Sequence, residues 1–194
     1  MLTEDRKSQI IQASIEVFGT YGYKKTSMQD IANTLDISRP ALYQYYKNKE
    51  SVFLALVKHT LVLGEQAAIE GFNYCEDNFT CLLHGIMDME RVLFEPIFLK
   101  PNGKELLSLS KKLAPELMTD FETQILEQII QVLDKAEEQK QIDLSVLNIE
   151  TVEAASLILL GLDGIKNASR SQDMLDRKIQ LFLTIFWQGL LVKA

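Results

Sequence analysis

Between Ser38 and Lys49 the sequence gathers Arg39, Pro40, Tyr43, Gln44, Lys47 and Lys49, with no carboxylate among them. This is the chemistry of a surface that reads nucleic acid. A guanidinium offers two donors that match guanine O6 and N7, and a carboxamide pairs in the same way with adenine. Tyr43 and Pro40 supply apolar contact for a thymine methyl group, and Lys47 and Lys49 stand where phosphates would lie. Catalytic chemistry finds no such grouping. The two histidines, His59 and His84, lie 25 residues apart in unlike contexts, a poor acid–base pair or metal set. No HExxH, Glu-x-x-His, P-loop or GxGxxG pattern occurs. No catalytic residue, metal or cofactor is expected, and the chain is not expected to be an enzyme.

Such side chains need short helices to aim them. Ile10, Ala13, Ser14, Val17, Phe18 and Tyr21 recur at helical spacing, widened by Ile11 and Ile15. Gly22 sits where a C-terminal cap would end that helix. Thr26-Ser27-Met28-Gln29 then reads as a capping box, with Thr26 capping and Gln29 reaching back. Met28, Ile31, Ala32 and Leu35 form the inner face of the second helix. Asp36-Ile37-Ser38 makes a turn, Ser38 caps a third helix, and Pro40 suits its first turn. Leu42 and Tyr46 are expected to face inward with Ile37 and Phe53, leaving Arg39 and Tyr43 together on the outer face. A fourth helix opens at Lys49-Glu50-Ser51 and runs to about Gly71. Two short helices and a tight turn are a helix-turn-helix arrangement. A helical hairpin with an ordinary polar surface is the alternative.

Beyond Gly71 helical patterns recur, with breaks near 73–78, 96–103, 140–147 and 171–173. Residues 115–139, 151–170 and 173–193 form long candidates, the first striped by Leu117, Phe121, Ile125, Ile129, Val132 and Leu133. Strand alternation and hairpin signals are missing, so the expected fold class is all-α.

Charge and aromatics divide the chain. The 194 residues carry a net charge of −7, which by itself argues against a polyanionic partner. Residues 1–50, however, hold seven basic and six acidic residues, so the acidity lies wholly in 51–194. Five of the six tyrosines precede residue 47, and eight of the nine phenylalanines follow residue 50. The expected domains are therefore 1–50, a surface-active head, and 51–194, an apolar-cored body. The longest apolar stretch, Leu181 to Val192, is broken by Thr184, Gln188 and Gly189 and is shorter than the roughly 20 residues of a spanning helix. No signal-like apolar region opens the chain. A cytoplasmic protein without a membrane partner is expected. Cys75 and Cys81 form no metal-ligand pattern and read as buried free thiols, with a redox pair or disulfide as the alternative.

Residues 10–54 resemble the DNA-binding domain of the tetracycline repressor (TetR) family of bacterial transcription regulators. The run Ile11 to Phe18, Tyr21-Gly22-Tyr23, Thr26 to Ala32 and Ile37 to Glu50 follows the family's order and spacing. Leu35-Asp36 stands where Ala-Gly is frequent, Tyr45 where His is usual, and Tyr46 where Phe is usual. The resemblance implies phosphate contacts at Thr26, Ser27, Tyr45 and Lys49. It implies base reading by Arg39, Pro40 and Tyr43, with Ser38 and Ala41 beside them; Gln44 joins this set through its carboxamide chemistry. It further implies a homodimer on a palindromic double-stranded operator, with a small-molecule effector held by the C-terminal helices. Candidate effector-lining residues are His59, Tyr74, His84, Met87, Phe94, Phe98, Met118, Phe121 and Gln124, although a helical bundle needs such residues anyway. The last two helices carry more apolar surface than one helix pair can hide. Leu157, Leu160, Gly161, Gly164, Ile165, Leu181, Phe182, Ile185 and Phe186 are the expected dimer contacts. The functional expectation is a ligand-released repressor. The alternative is a helical small-molecule-binding or interaction protein that has lost DNA binding.

Overall fold

A computed structural model describes residues 2–73, 77–98 and 100–192, with side chains from Asp5 onward except at positions 95 and 98. Tyr74, Cys75 and the side chain of Phe98 lie outside the described residues. The chain is all-α. Its helices are α1 (Leu2–Tyr21), α2 (Met28–Thr34), α3 (Arg39–Tyr43), α4 (Lys49–Asn73), α5 (Asn78–Phe98), α6 (Gly103–Leu113), α7 (Pro115–Glu138), α8 (Thr151–Ala168) and α9 (Gln172–Leu190). A 3-10 turn, Leu144–Leu147, precedes α8, and an isolated bridge pairs Ile142 with Leu191.

Helix boundaries follow local chemistry. Gly22, at φ 84°, closes α1 in the left-handed region that glycine tolerates. The break expected at Pro96 starts later, because α5 carries Pro96 in its last turn and ends at Phe98. A proline there removes one hydrogen bond from the last turn without ending the helix at once. Tyr21, expected on the buried stripe of the first helix, is instead 61% exposed, since the core beneath α1 ends at Phe18.

The chain forms two compact units. The first joins residues up to Leu63 with Leu93–Thr119. Its core holds Ile10, Phe18, Ile31, Leu42 and Phe53, all fully buried. Phe18, Tyr23 and Phe53 form a ring triangle with centroids 5.1–5.8 Å apart. The second joins Gly64–Val92 with the chain from Asp120 onward. Leu82, Ile86, Ile125, Ile129, Leu133, Ile158, Leu175, Ile179 and Leu183 fill it. There α4 and α5 cross closely at Gly71, where a Cβ would stand 2.6 Å from the amide nitrogen of Gly85. The split at residue 50, drawn from charge and aromatic usage, differs from this division by packing. Val52, Phe53, Leu56 and Val57 of α4 belong to the first core, and so do Ile97, Leu106 and Ala114.

Two expectations change. By length and composition α4 is apolar enough to cross a membrane, a stretch longer than the Leu181–Val192 run singled out from sequence. Its buried residues, from Val52 to Phe72, instead pack within the two cores. Cys81 is disulfide-bonded rather than a free thiol. The free-thiol expectation rested on missing metal-ligand spacing, which does not bear on disulfide pairing.

Candidate nucleic-acid interface

The turn between α1 and α3 is built from short-range hydrogen bonds. Ser27 caps α2: its Oγ accepts from the Asp30 amide at 3.3 Å. The Asp30 carboxylate accepts from the Ser27 amide and hydroxyl, both at 2.7 Å. These bonds hold the Asp30 carboxyl below the usual carboxylate range. The capping box thus runs from Ser27 to Asp30, one residue later than the expected Thr26–Gln29 pair. Thr26 turns inward instead. It is 3% exposed, and its hydroxyl donates to the Gly22 carbonyl at 2.8 Å. Gln29 donates to Asn33.

Asp36 adopts φ 51° between α2 and α3. A short polar side chain tolerates that left-handed turn, as the sequence suggested. Ser38 then caps α3, accepting from the Ala41 amide at 3.3 Å, and Pro40 lies in the first turn. Leu42 is fully buried and anchors the helix, with Ile37, Tyr45 and Tyr46 packed partly against the same core. The opposite face carries Arg39, Pro40, Tyr43 and Gln44, all exposed. Arg39 Nη2 donates to the Tyr43 hydroxyl at 3.1 Å, and the guanidinium lies 5.4 Å from that ring's centroid. The pair confirms the i, i+4 geometry and holds the guanidinium beside the ring. Ser38 and Lys47 are exposed, and Ala41 is half-buried.

Lys49 stands apart from the other cations. Its Nζ donates to the carbonyls of Tyr23 at 2.6 Å and Thr26 at 2.8 Å. It also lies 4.3 Å from the centre of the Tyr23 ring. Burial lowers its pKa, and burial with the charge of Glu50 raises that of Tyr23.

In the second unit, α8 and α9 approach through Gly161, where a Cβ would come within 2.4 Å of the Phe182 ring. Gly164 faces open space. The exposed positions on these helices include Leu160 at 70%, Ile185 at 64%, Leu181 at 58% and Leu157 at 51%. Gly161, Ile165, Phe182 and Phe186 are half-buried, so none of the nine expected dimer residues is spent in the core. Their neighbours Ile158, Leu162 and Leu183 are.

The expected effector-lining residues do not share one unit. His59, Phe94 and Met118 belong to the first, and His84, Met87, Phe121 and Gln124 to the second. Phe94 is buried, whereas His84 and Gln124 are exposed. An open groove of about 800 Å³ lies beside α7 and the start of α8, lined by Ile130, Asp134, Glu137 and Val152 among others. None of the expected residues borders it.

Sequence reasoning missed Glu90. It is 1% exposed on α5, four residues from Ile86 and from Phe94 on the same buried stripe. Lys166 Nζ comes within 3.1 Å of its Oε1 off the hydrogen-bond direction, and Oε2 has no hydrogen-bond partner. Burial pushes this carboxyl up, Lys166 pulls it back, and Asp163 adds to the rise. A carboxylate falling on an apolar stripe was the available signal. Among the described residues no cluster of His, Cys, Asp and Glu is suited to a metal.

Residues 10–56 match the model of the bacterial regulatory proteins of the tetR family. The chain is 45% identical over 60 residues to the uncharacterized HTH-type transcriptional regulator YezE of Bacillus subtilis, a match covering 31% of this chain and 30% of that protein. It is 32% identical over 68 residues to the HTH-type transcriptional repressor AcnR of Corynebacterium jeikeium, covering 34% and 36% respectively. These matches span about a third of the relatives' length. Over nearly the full length, the fold resembles the TetR family transcriptional regulator PfmR of Thermus thermophilus, with a TM-score of 0.72 at 21% identity, covering 93% of this chain and 98% of that one. The likeness to the tetR family of bacterial regulatory proteins is thus carried by residues 10–56, the N-terminal domain.

Proposed function

We propose that the protein is a sequence-specific transcription regulator, a homodimeric repressor released from a palindromic operator by a small-molecule ligand. The observation that carries this reading is the exposed face of α3. Arg39 and Tyr43 are held against each other there, with Pro40 and Gln44 alongside and no carboxylate from Ser38 to Lys49. Arg39 reads guanine, Gln44 reads adenine, and Tyr43 and Pro40 meet a thymine methyl, flanked by Ser38 and Ala41. Ser27, Tyr45 and Lys47 meet phosphates. The Thr26 hydroxyl is committed to Gly22 and is left with its main chain for that purpose.

Two recognition helices enter successive major grooves when they stand about 34–36 Å apart, which requires a dimer. The uncovered apolar face of α8 and α9 supports pairing of two copies into a four-helix contact. The effector acts by preferring a dimer whose heads are spaced wrongly for DNA. Moving such a balance from 1:99 to 99:1 takes about 5.5 kcal/mol of differential binding. The names of relatives point to regulation rather than catalysis, and the protein is proposed to work in the bacterial cytoplasm, where its operator lies. The acidic charge of residues 51–194 limits non-specific attraction to DNA and leaves specificity to the head.

The test is selection of binding sites from random double-stranded DNA. A palindrome with half-sites one helical turn or a multiple of it apart is expected. Arg39→Ala should weaken binding by about 1–3 kcal/mol and relax preference at one base position. A protein that enriches no sequence, yet binds a small molecule, would instead be the helical binding protein without a DNA role.

A further inference from the structure

The turn that joins α1 to α2 is gripped from two sides by residues outside it. On one side Lys49, the first residue of α4, gives two ammonium hydrogens to the carbonyls of Tyr23 and Thr26, at 2.6 and 2.8 Å. On the other side is Asn102, which precedes α6. Its Nδ2 donates to the Thr20 carbonyl at 2.8 Å and to the Gly19 carbonyl at 3.3 Å, and its main-chain amide donates to Gly19 at 3.0 Å. Four carbonyls between Gly19 and Thr26 are therefore held by two side chains that reach in from α4 and from the segment before α6.

The need for such clamps follows from helix chemistry. The last carbonyls of a helix lack partners within it, and α1 has no basic residue in its final turn to serve them. Immediately after the clamped turn comes Ser27, the cap of α2, so fixing the turn fixes where α2 begins. Glycine at position 22 admits the arrangement: at φ 84° its Cβ position would lie 3.2 Å from Asn102 Oδ1.

We infer that Lys49 and Asn102 are positioning residues of the DNA-reading head, and that Lys49 acts through the α1–α2 turn rather than by holding a phosphate. An ammonium has three donors, and two of Lys49's are committed to main-chain carbonyls beneath the Tyr23 ring. The partial burial that lowers its pKa agrees with an internal role. The consequence for recognition rests on the proposed function, but the clamp itself does not.

The experiment uses the full chain with Lys49→Met, Asn102→Ala and, as an exposed lysine for comparison, Lys47→Met. Amide exchange is measured without DNA at Gly22 and Ile31, whose amides bond to Phe18 and Ser27. It should quicken about tenfold or more in Lys49→Met and Asn102→Ala, and stay unchanged in Lys47→Met. On the selected operator, Lys49→Met should lose about ten- to a hundredfold in affinity with an unchanged salt slope. Lys47→Met should lower that slope by about one. Unchanged exchange in both clamp variants, or a slope reduced by about one in Lys49→Met, overturns the inference. Should Lys49→Met unfold, Lys49→Arg keeps the charge. A clamp then gives faster exchange, whereas a phosphate contact gives unchanged exchange and slope. If the wild type selects no operator, the functional reading fails and the exchange measurements alone decide the clamp.

Discussion

The α2–α3 head and the α8–α9 face solve opposite problems. In the head, polar groups find partners a few residues away: Ser27 with Asp30, Ser38 with Ala41, Arg39 with Tyr43. A few buried anchors then suffice to aim the rest: Leu42 for α3, and Met28, Ile31 and Ala32 for α2. The α8–α9 face has the reverse character. Its core is filled by Ile158, Leu162, Leu175, Ile179 and Leu183, and a further set of large apolar side chains remains uncovered. On the proposed function, the head presents chemistry that water tolerates until DNA replaces it, whereas the α8–α9 face presents apolar area that a second copy would remove from water.

The comparison is broken most severely by charging that face. Leu160→Glu combined with Ile185→Glu places carboxylates at its two most exposed apolar positions. Burying one such side chain stabilises by about 1.5–3 kcal/mol. Losing both should raise the dimer dissociation constant by at least about a hundredfold. Sedimentation equilibrium should show a monomer with unchanged helical content, and operator affinity should fall with it. A wild type that is monomeric at micromolar concentration, or a charged variant that remains dimeric, would count against the α8–α9 dimer.

A smaller effect separates the ways in which the two regions hold charge. The head keeps Arg39 and Lys47 exposed, while the second unit hides Glu90 and pairs it with Lys166. Removing one partner of a buried pair leaves the other uncompensated, and Lys166→Met should cost about 3 kcal/mol in urea denaturation at neutral pH. Glu90→Gln should cost less, because the Lys166 side chain is 28% exposed and can turn to water. The pH dependence has a definite sign. The folded-state pKa of Glu90 is raised, so its ionisation opposes folding as pH climbs through that value. With Lys166 gone the rise is larger, and the deficit of Lys166→Met should shrink as pH is lowered through the folded pKa. A deficit independent of pH would mean that Glu90 is not the charge left behind.

Legibility in the sequence tracked the same contrast. The helix-turn-helix was readable because its determinants are local: Gly22, Asp36, Ser38 and Pro40 each fix one backbone position, and Leu42 fixes a face. The outward set on α8 and α9 was readable from period and from an excess of apolar residues. What sequence alone did not supply were tertiary facts. Lys49 reads in sequence as a phosphate contact, and only the return of α4 beneath the turn brings it to Tyr23 and Thr26. Asn102 carried no signal, since its partners lie over eighty residues away in sequence. The effector-lining set was chosen by residue type, and type does not tell the exposed His84 and Gln124 from the buried Phe94. Glu90 is visible in sequence as a charge out of pattern, but its burial beside Lys166 is a tertiary fact.

The finest distinction is the one-residue register of the α2 cap. Thr26 and Ser27 both precede the helix, and both have a hydroxyl of the right length. The structure gives the cap to Ser27 because the Thr26 hydroxyl is drawn inward to Gly22. Ser27→Ala should therefore cost about 1 kcal/mol in thermal or urea unfolding. Gln29→Ala should stay within about 0.5 kcal/mol of wild type, since its side chain bonds only to Asn33 on the exposed face. The Asp30 carboxyl sharpens the assignment further. Its pKa is depressed in the folded state by the Ser27 hydroxyl and amide, so its contribution is present above the unfolded value and is lost as pH falls through the folded one. Ser27→Ala removes the hydroxyl bond and should bring the Asp30 pKa, followed by its carboxyl carbon shift, back toward the ordinary carboxylate range. Gln29→Ala should leave that titration where it was. A larger loss from Gln29→Ala than from Ser27→Ala would return the cap to Thr26 and move the start of α2 by one residue.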